Sequence, residues 1–224
     1  MKRTIKIISA VILGSTLMLS RSPAQDQSGR LYIRGDVGGN ITEDTTLKEF
    51  FGPVTSKSKV KFDPGVRFGV AVGYRITDWF SVEGETGVMA NNIDSITEAT
   101  RLDAEFANVP FVANVRIQMP CRCALKPYIG GGAGGATSIL DAEHIDLNDI
   151  HMRGTGTDVV FAWQAFGGLR YQLNDRMGLS VEYHYFATTA PDFKADFAAG
   201  TETDRVKFAG AATHSISVAF DFTF

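Results

Sequence analysis

The sequence predicts an all-β protein, an eight-stranded antiparallel up-and-down transmembrane β-barrel over residues 25–224, preceded by an N-terminal signal peptide over residues 1–24. Three observations predict it. Apolar residues recur at every second position in eight separate segments, the period that places them on one face of a strand. The connections between these segments alternate between short and long, as in barrels that cross a membrane with short turns on one side and long loops on the other. The polar face of the segments is mostly Gly, Ala and Ser with scattered Arg and Glu and no Lys between the strand ends, a composition suited to a crowded interior.

The elements follow in chain order. Lys2, Arg3 and Lys6 precede an apolar run from Ile7 to Leu19, and Arg21-Ser22-Pro23-Ala24 follows it. The run is shorter than the roughly 20 residues of a membrane-spanning helix. It reads as a secretory signal peptide cleaved after Ala24. No Cys follows that site, so a lipid anchor is not expected. Cleavage removes four cations from a chain of formal charge −3. The acidic remainder excludes nucleic acid as a partner. No later apolar run is long enough for a helix to cross a membrane, so passage through lipid is expected by strands.

The first strand is Leu31 to Gly39. The second, Gly65 to Arg75, sets Val66, Phe68, Val70, Val72 and Tyr74 against Arg67, Gly69, Ala71, Gly73 and Arg75. The third, Trp79 to Val88, sets Phe80, Val82 and Val88 against Ser81, Glu83 and Glu85. In the fourth, Glu105 to Gln118, Val109, Phe111, Val115 and Ile117 oppose Asn108, Asn114 and Arg116. The fifth, Pro127 to Ser138, is dominated by glycine. The sixth, Val159 to Gln172, places Phe161, Trp163, Leu169 and Tyr171 opposite Gln164, Arg170 and Gln172. In the seventh, Met177 to Phe186, Leu179, Val181, Tyr183 and Tyr185 oppose Gly178, Ser180, Glu182 and His184. The last, Ala212 to Phe224, alternates Ile216, Val218, Phe220, Phe222 and Phe224 with small or polar residues.

Short links follow strands two, four and six: Ile76-Thr77-Asp78, Met119 to Lys126, and Leu173 to Arg176. Long polar connections, such as Asn40 to Lys59 and Ala187 to Lys207, follow the others and are expected as external loops. On the apolar face, Tyr74, Phe80, Tyr171 and Phe222 lie near the short turns and Phe161, Trp163 and Tyr185 near the long loops. Two such aromatic belts are what the interfaces of a bilayer select. The apolar face therefore looks out, and the polar face looks in.

The inward positions carry Arg34, Arg67, Arg75, Arg116 and Arg170 against Asp36, Glu83, Glu85, Glu182 and Asp221. Eight strands leave a lumen that side chains just fill. Charges confined there must pair, because desolvation costs several kcal/mol per ion. Balanced signs predict a cross-linked plug rather than an open pore.

Two stretches carry a family resemblance: N-V-P-F-V-A-N-V-R-I from Asn108 to Ile117 and K-P-Y-I-G-G-G-A-G-G from Lys126 to Gly135. They resemble the opacity-protein and OmpA-like superfamily of eight-stranded outer-membrane β-barrels, whose members include proteins described as porins. The alternating strand that closes on Phe220, Phe222 and Phe224 resembles the C-terminal signal that the outer-membrane barrel-assembly machinery reads. The resemblance implies an integral protein of the bacterial outer membrane, monomeric, surrounded by outer-membrane lipid and lipopolysaccharide, with the assembly machinery as a partner. It also implies that Pro110 is tolerated within its strand, where a local bulge is expected. Nothing follows Phe224, so the cell-wall-binding domain of many OmpA-type proteins is not expected.

Other motifs have plainer readings. Arg34-Gly35-Asp36 spells a cell-attachment tripeptide, but its spacing turns both charges into the barrel, where an internal ion pair is expected. Cys121 and Cys123 lie in a short turn on the periplasmic, oxidising side. A disulfide across one intervening residue and two free thiols both remain open, because near neighbours seldom meet disulfide geometry. The segment Asp141 to His151 gathers four acids and two His without the spacing of a calcium loop, and it reads as a solvated external loop. Gly130 to Gly135 lacks the Lys-Ser or Lys-Thr of a phosphate loop; close approach of chains is its expected role. Ser180, Glu182 and His184 share a face, but steps of about 7 Å along one strand are too long for a relay unless the side chains lean. No enzyme, cofactor or metal site is therefore expected. The leading functional expectation is a structural or surface-interaction role through external loops, with a narrow diffusion channel as alternative and a lipid-modifying enzyme third. The sequence names no surface ligand.

Overall fold

The computed structural model describes residues 30–50, 58–97, 99–121, 123–147, 150–195 and 205–224, so the signal peptide expected at the N-terminus lies outside the described residues. The strands are β1 (Leu31–Thr42), β2 (Thr45–Phe50), β3 (Lys59–Phe62), β4 (Gly65–Arg75), β5 (Phe80–Ile96) and β6 (Ala99–Gln118). They continue as β7 (Leu125–Leu147), β8 (Ile150–Gln172), β9 (Met177–Thr188), β10 (Asp192–Ala195), β11 (Arg205–Phe208) and β12 (Ala212–Thr223). No helix occurs among the described residues.

Eight of these strands close a ring. β1 pairs antiparallel with both β4 and β12, and the ladder runs from β4 through β5, β6, β7, β8 and β9 back to β12. Closure leaves no unpaired edge, the arrangement that lets strands lie in lipid. The eight predicted segments are these strands, and Gly65–Arg75 has the bounds read from the sequence. Alternation holds along most of the wall: Val37, Val70, Val115, Ile129, Val181 and Val218 are exposed, while the intervening side chains are buried. It lapses where β5 and β6 meet, since Val88 and Val109, expected on the outer face, are buried within continuous buried runs over 88–91 and 106–110.

The long connections differ from expectation. Their described residues form not open loops but an upper tier of the same tube. β10 pairs with β8 and β11, β11 with β2, β2 with β3, and β3 with β5. With the upper parts of β5, β6, β7 and β8, these four short strands complete a second eight-strand ring above the first. Each short strand continues a spanning strand after a brief interruption: β1 into β2, β3 into β4, β9 into β10 and β11 into β12. Pro64, Pro191 and Gly210 stand in three of the interruptions. A proline cannot donate to a ladder, so Pro64 and Pro191 suit the gaps between ladders.

The remaining hairpins need no break. β7 and β8 each have 23 residues, over twice the roughly 9–11 that a tilted strand needs to cross a bilayer. Asp141 to Leu147 therefore belongs to β7, not to a solvated loop. The alternation that would have revealed this is interrupted, because the β7–β8 register shifts between Ala142 and Ile145. Leu140, Ala142 and Ile145 face inward across that shift.

The interior is layered. At the upper tier Leu47, Phe62, Phe106, Phe193, Val206 and Phe208 belong to one apolar core. Phe106 and Phe193 each present an edge to Phe208, with ring centroids 6.3 and 5.6 Å away. Below it, Thr42 donates to Asn91 Oδ1 at 3.0 Å, Asn91 donates to Asn40 Oδ1 at 2.7 Å, and Ser138 donates to Asn108 at 2.7 Å. Below that the interior is charged. Pro110 causes no bulge, contrary to expectation: the register with β7 is continuous through Pro110–Ala136, and the ladder with β5 resumes in phase beyond Gly87 and Val88. Beside Pro110, which has no N–H to give, two pairs of the β5–β6 ladder are absent.

Candidate functional site

The charged layer is a network across the lumen. Arg34 on β1 hydrogen-bonds Glu182 on β9 and lies 3.0 Å from Glu83 and 3.5 Å from Glu85 on β5. Arg116 on β6 reaches the same Glu83 at 3.1 Å and the same Glu182 at 3.3 Å. Arg34, Glu83, Arg116 and Glu182 thus form a closed ring of alternating sign. Arg67 on β4 joins it through Glu85 at 2.5 Å and takes Asp36 at 2.9 Å. The side chains of this cluster are at most 5% exposed.

One layer lower, Arg170 on β8 and Asp221 on β12 make a two-pronged pair, with bonds of 2.8 and 2.6 Å. Two parallel bonds fix orientation as well as charge. Arg75 is half-buried at the short-turn mouth, its guanidinium 5.1 Å over the Tyr32 ring. It does not enter the closed ring. The tripeptide Arg34-Gly35-Asp36 is inside, as its spacing requires, but its two charges pair across strands rather than with each other.

Neutral side chains complete the network: Asn114, Gln164 and His184 from the polar face expected to look inward, and Tyr32, Tyr128 and Phe166, whose part in it the alternation does not reveal. Tyr32 donates to Glu83 at 2.5 Å. Asn114 and Gln164 each donate to Glu85 Oε2, at 2.7 and 2.8 Å. Arg116 lies 3.7 Å over the ring of Tyr128, a cation–π contact. His184 stacks on Phe166 at 5.3 Å and its Nε2 is 2.8 Å from Glu182. The step between His184 and Glu182 is bridged because both side chains lean together, the one exception expected from strand spacing. Both oxygens of that carboxylate are also committed to Arg34 and Arg116.

The glycine run makes room for this layer. A Cβ on Gly130 would fall 2.3 Å from Phe166 Cζ, and one on Gly132 would fall 2.2 Å from Asn114 Oδ1. The chains themselves also approach closely, as expected: Cβ atoms on Gly132 and Gly134 would each fall 2.1 Å from a backbone oxygen of β6, those of Ala113 and Phe111.

Elsewhere, Phe220, Phe222 and Phe224 all point outward, with Phe222 and Phe224 edge-to-face at 5.4 Å. Cys121 and Cys123 are joined by a disulfide in the β6–β7 turn. On the outer wall, Tyr183 and His214 Nδ1 are 2.6 Å apart, and His214 Nε2 is 2.8 Å from Glu43. Among the described residues, no three His, Cys, Asp or Glu are grouped to hold a metal ion.

The comparisons agree with this architecture. The family model for the outer membrane protein beta-barrel domain matches residues 9–224. No curated protein matches by sequence. Among solved structures, the chain is similar to the outer membrane protein OprG from Pseudomonas aeruginosa, with a TM-score of 0.58 at 16% identity over 88% of this chain and 97% of that one. It is similar to neisserial surface protein A, with a TM-score of 0.50 at 14% identity over 87% and 97%. The outer membrane protein AlkL gives a TM-score of 0.50 at 15% identity over 92% and 97%. With a closed antiparallel ring, an apolar outer wall and a polar lumen, and with the family match over almost its whole length, this chain belongs to the outer membrane β-barrel family and is an integral outer-membrane protein.

Proposed function

We propose that this protein is a plugged, non-conducting barrel of the outer membrane that supports envelope structure and presents its upper tier to the surroundings as an interaction surface. The observation that carries the reading is the closed ring of Arg34, Glu83, Arg116 and Glu182 across the lumen. An ion entering this layer would have to separate buried ion pairs, which costs several kcal/mol when a partner is left uncompensated.

Orientation follows the rule for such barrels, with short turns toward the periplasm and the longer hairpins outside. The upper tier is built to stand in water: Lys48, Lys59, Lys61 and Asp94 are exposed outside its apolar core. In this reading the chain reaches the membrane by a signal peptide cleaved after Ala24. It is inserted as a monomer by the assembly machinery acting on the strand that ends in Phe220, Phe222 and Phe224. Specificity for a partner then lies in the outer hairpins, and the barrel is not an enzyme. The test is planar-bilayer conductance of the purified protein. Baseline current indistinguishable from a detergent-only control is expected; frequent, stable, ion-selective openings would replace the plug with a channel.

A further inference from the structure

The short-turn end carries two hollows that meet at one lip. The first, a cavity of about 400 Å³, opens at the mouth and is lined by Arg30, Arg75, Lys126 and Arg170 with Asp78 and Asp175. Lys126 on β7 and Arg170 on β8 are direct cross-strand partners. Like charges directly opposite destabilise a sheet, and the Asp221 carboxylate relieves this on the Arg170 side. Even with Asp221 assigned to Arg170, the lining keeps a positive surplus. The second is an apolar groove of about 500 Å³ on the outer wall, lined by Trp79, Ile117, Met119, Pro120, Pro127 and Ile129. Gln118, Met119 and Pro120 line both hollows and form the lip between them.

We propose that these two hollows are one binding site for an anionic glycerophospholipid of the membrane leaflet at the short-turn end, with its phosphate in the cationic mouth and an acyl chain in the apolar groove. The chemistry is complementary at both ends of the ligand. A phosphate diester carries the single negative charge that the mouth lacks, and the groove faces the hydrocarbon edge where a chain is already present. The lip is a short turn rather than a wall, so the headgroup has only to fold over Gln118 to Pro120. A free phosphate satisfies the mouth but leaves the groove empty, which separates a soluble anion from the lipid. The inference rests on the membrane placement of the outer wall and not on the absence of conductance.

The two tryptophans of the chain, Trp79 in the groove and Trp163 in the opposite aromatic belt, supply the readout. The mature protein carrying Trp163→Phe is placed in phosphatidylcholine vesicles with a small, equal fraction of either brominated phosphatidylglycerol or brominated phosphatidylcholine. Stronger quenching of Trp79 by the brominated phosphatidylglycerol is expected. Lys126→Gln should lower that preference about fivefold, which is what one lysine near an anionic lipid surface contributes; Arg30→Gln should lower it similarly, and Lys61→Gln at the far end should not. With Trp79→Phe instead, Trp163 should show no preference. Equal quenching of Trp79 by both lipids overturns the proposal. So does an equal preference at Trp163, which would mean general attraction, or loss of the preference in millimolar inorganic phosphate, which would mean a soluble-anion site. No quenching by either lipid would overturn the membrane placement together with the site. Heat-dependent electrophoretic migration of each variant checks insertion; should Lys126→Gln fail it, the comparison of the two lipids on the Trp163→Phe protein with its cationic mouth unaltered decides alone.

Discussion

Arg34 and Glu182, separated by 148 residues in the sequence, form a hydrogen-bonded ion pair inside the barrel and tie β1 to β9. β12 lies between those two strands. The pair therefore spans the wall rather than repeating a ladder contact, and Glu83 and Arg116 close it from the opposite side.

Removing Arg34 alone leaves Glu83, Glu85 and Glu182 short of a counter-charge. Arg34→Met is expected to lower stability by about 3–5 kcal/mol. The double variant Arg34→Met/Glu182→Leu keeps Arg116 on Glu83 and Arg67 on Glu85 and should cost less than either single change. Urea unfolding of the protein refolded in detergent measures both. A strictly additive double variant would mean that the ring is not a coupled unit.

Tolerance for added volume is expected to differ sharply between Gly130, which faces the lumen, and Gly84, which lies on the outer face of β5. A Cβ on Gly130 meets Phe166 and also the Val115 carbonyl oxygen at 2.6 Å, whereas one on Gly84 meets nothing within 4 Å. Gly130→Ala should cost about 1–3 kcal/mol by overpacking. Gly84→Ala should stay within about 0.5 kcal/mol of the unmutated protein. The same urea transitions decide it.

The upper tier is joined to the membrane tier through interrupted strands, so local damage should stay local. Phe208→Ala removes a ring from between Phe106 and Phe193, a change that costs about 3–5 kcal/mol in a well-packed core. Protease added to intact cells should then cut the upper tier faster, while the heat-dependent shift of the barrel in electrophoresis persists. Loss of that shift would show that the two tiers unfold as one.

Topology is open to direct labelling. An epitope inserted in the β7–β8 connection, between Leu147 and Ile150, should be reached by antibody on intact cells. One inserted at Asp175, in the short β8–β9 turn, should be reached only after the outer membrane is permeabilised. Surface labelling at Asp175 would invert the barrel.

The sequence by itself determined the strands that cross the membrane and which side of each faces lipid. Side-chain direction in a strand is a local, two-residue property, so Val66 to Tyr74 or Ile216 to Phe224 can be assigned without knowing any partner. It also determined that Arg34, Glu83, Arg116, Glu182 and the other interior charges share one lumen, because alternation and closure leave them nowhere else. Three things were decided only by the tertiary structure. Pairing was one: Arg34 takes Glu182 rather than Asp36 because strand order and register, not sequence distance, set which side chains meet across the lumen. The upper ring was another, hidden because breaks at Pro64, Pro191 and Gly210 and the register shift after Ala142 erase the period that announces a strand. The last was the neutral lining of Tyr32, Tyr128 and Phe166, whose places depend on the space left by glycines on facing strands. Alternation is written residue by residue, whereas pairing and fit exist only once the sheet has closed on itself.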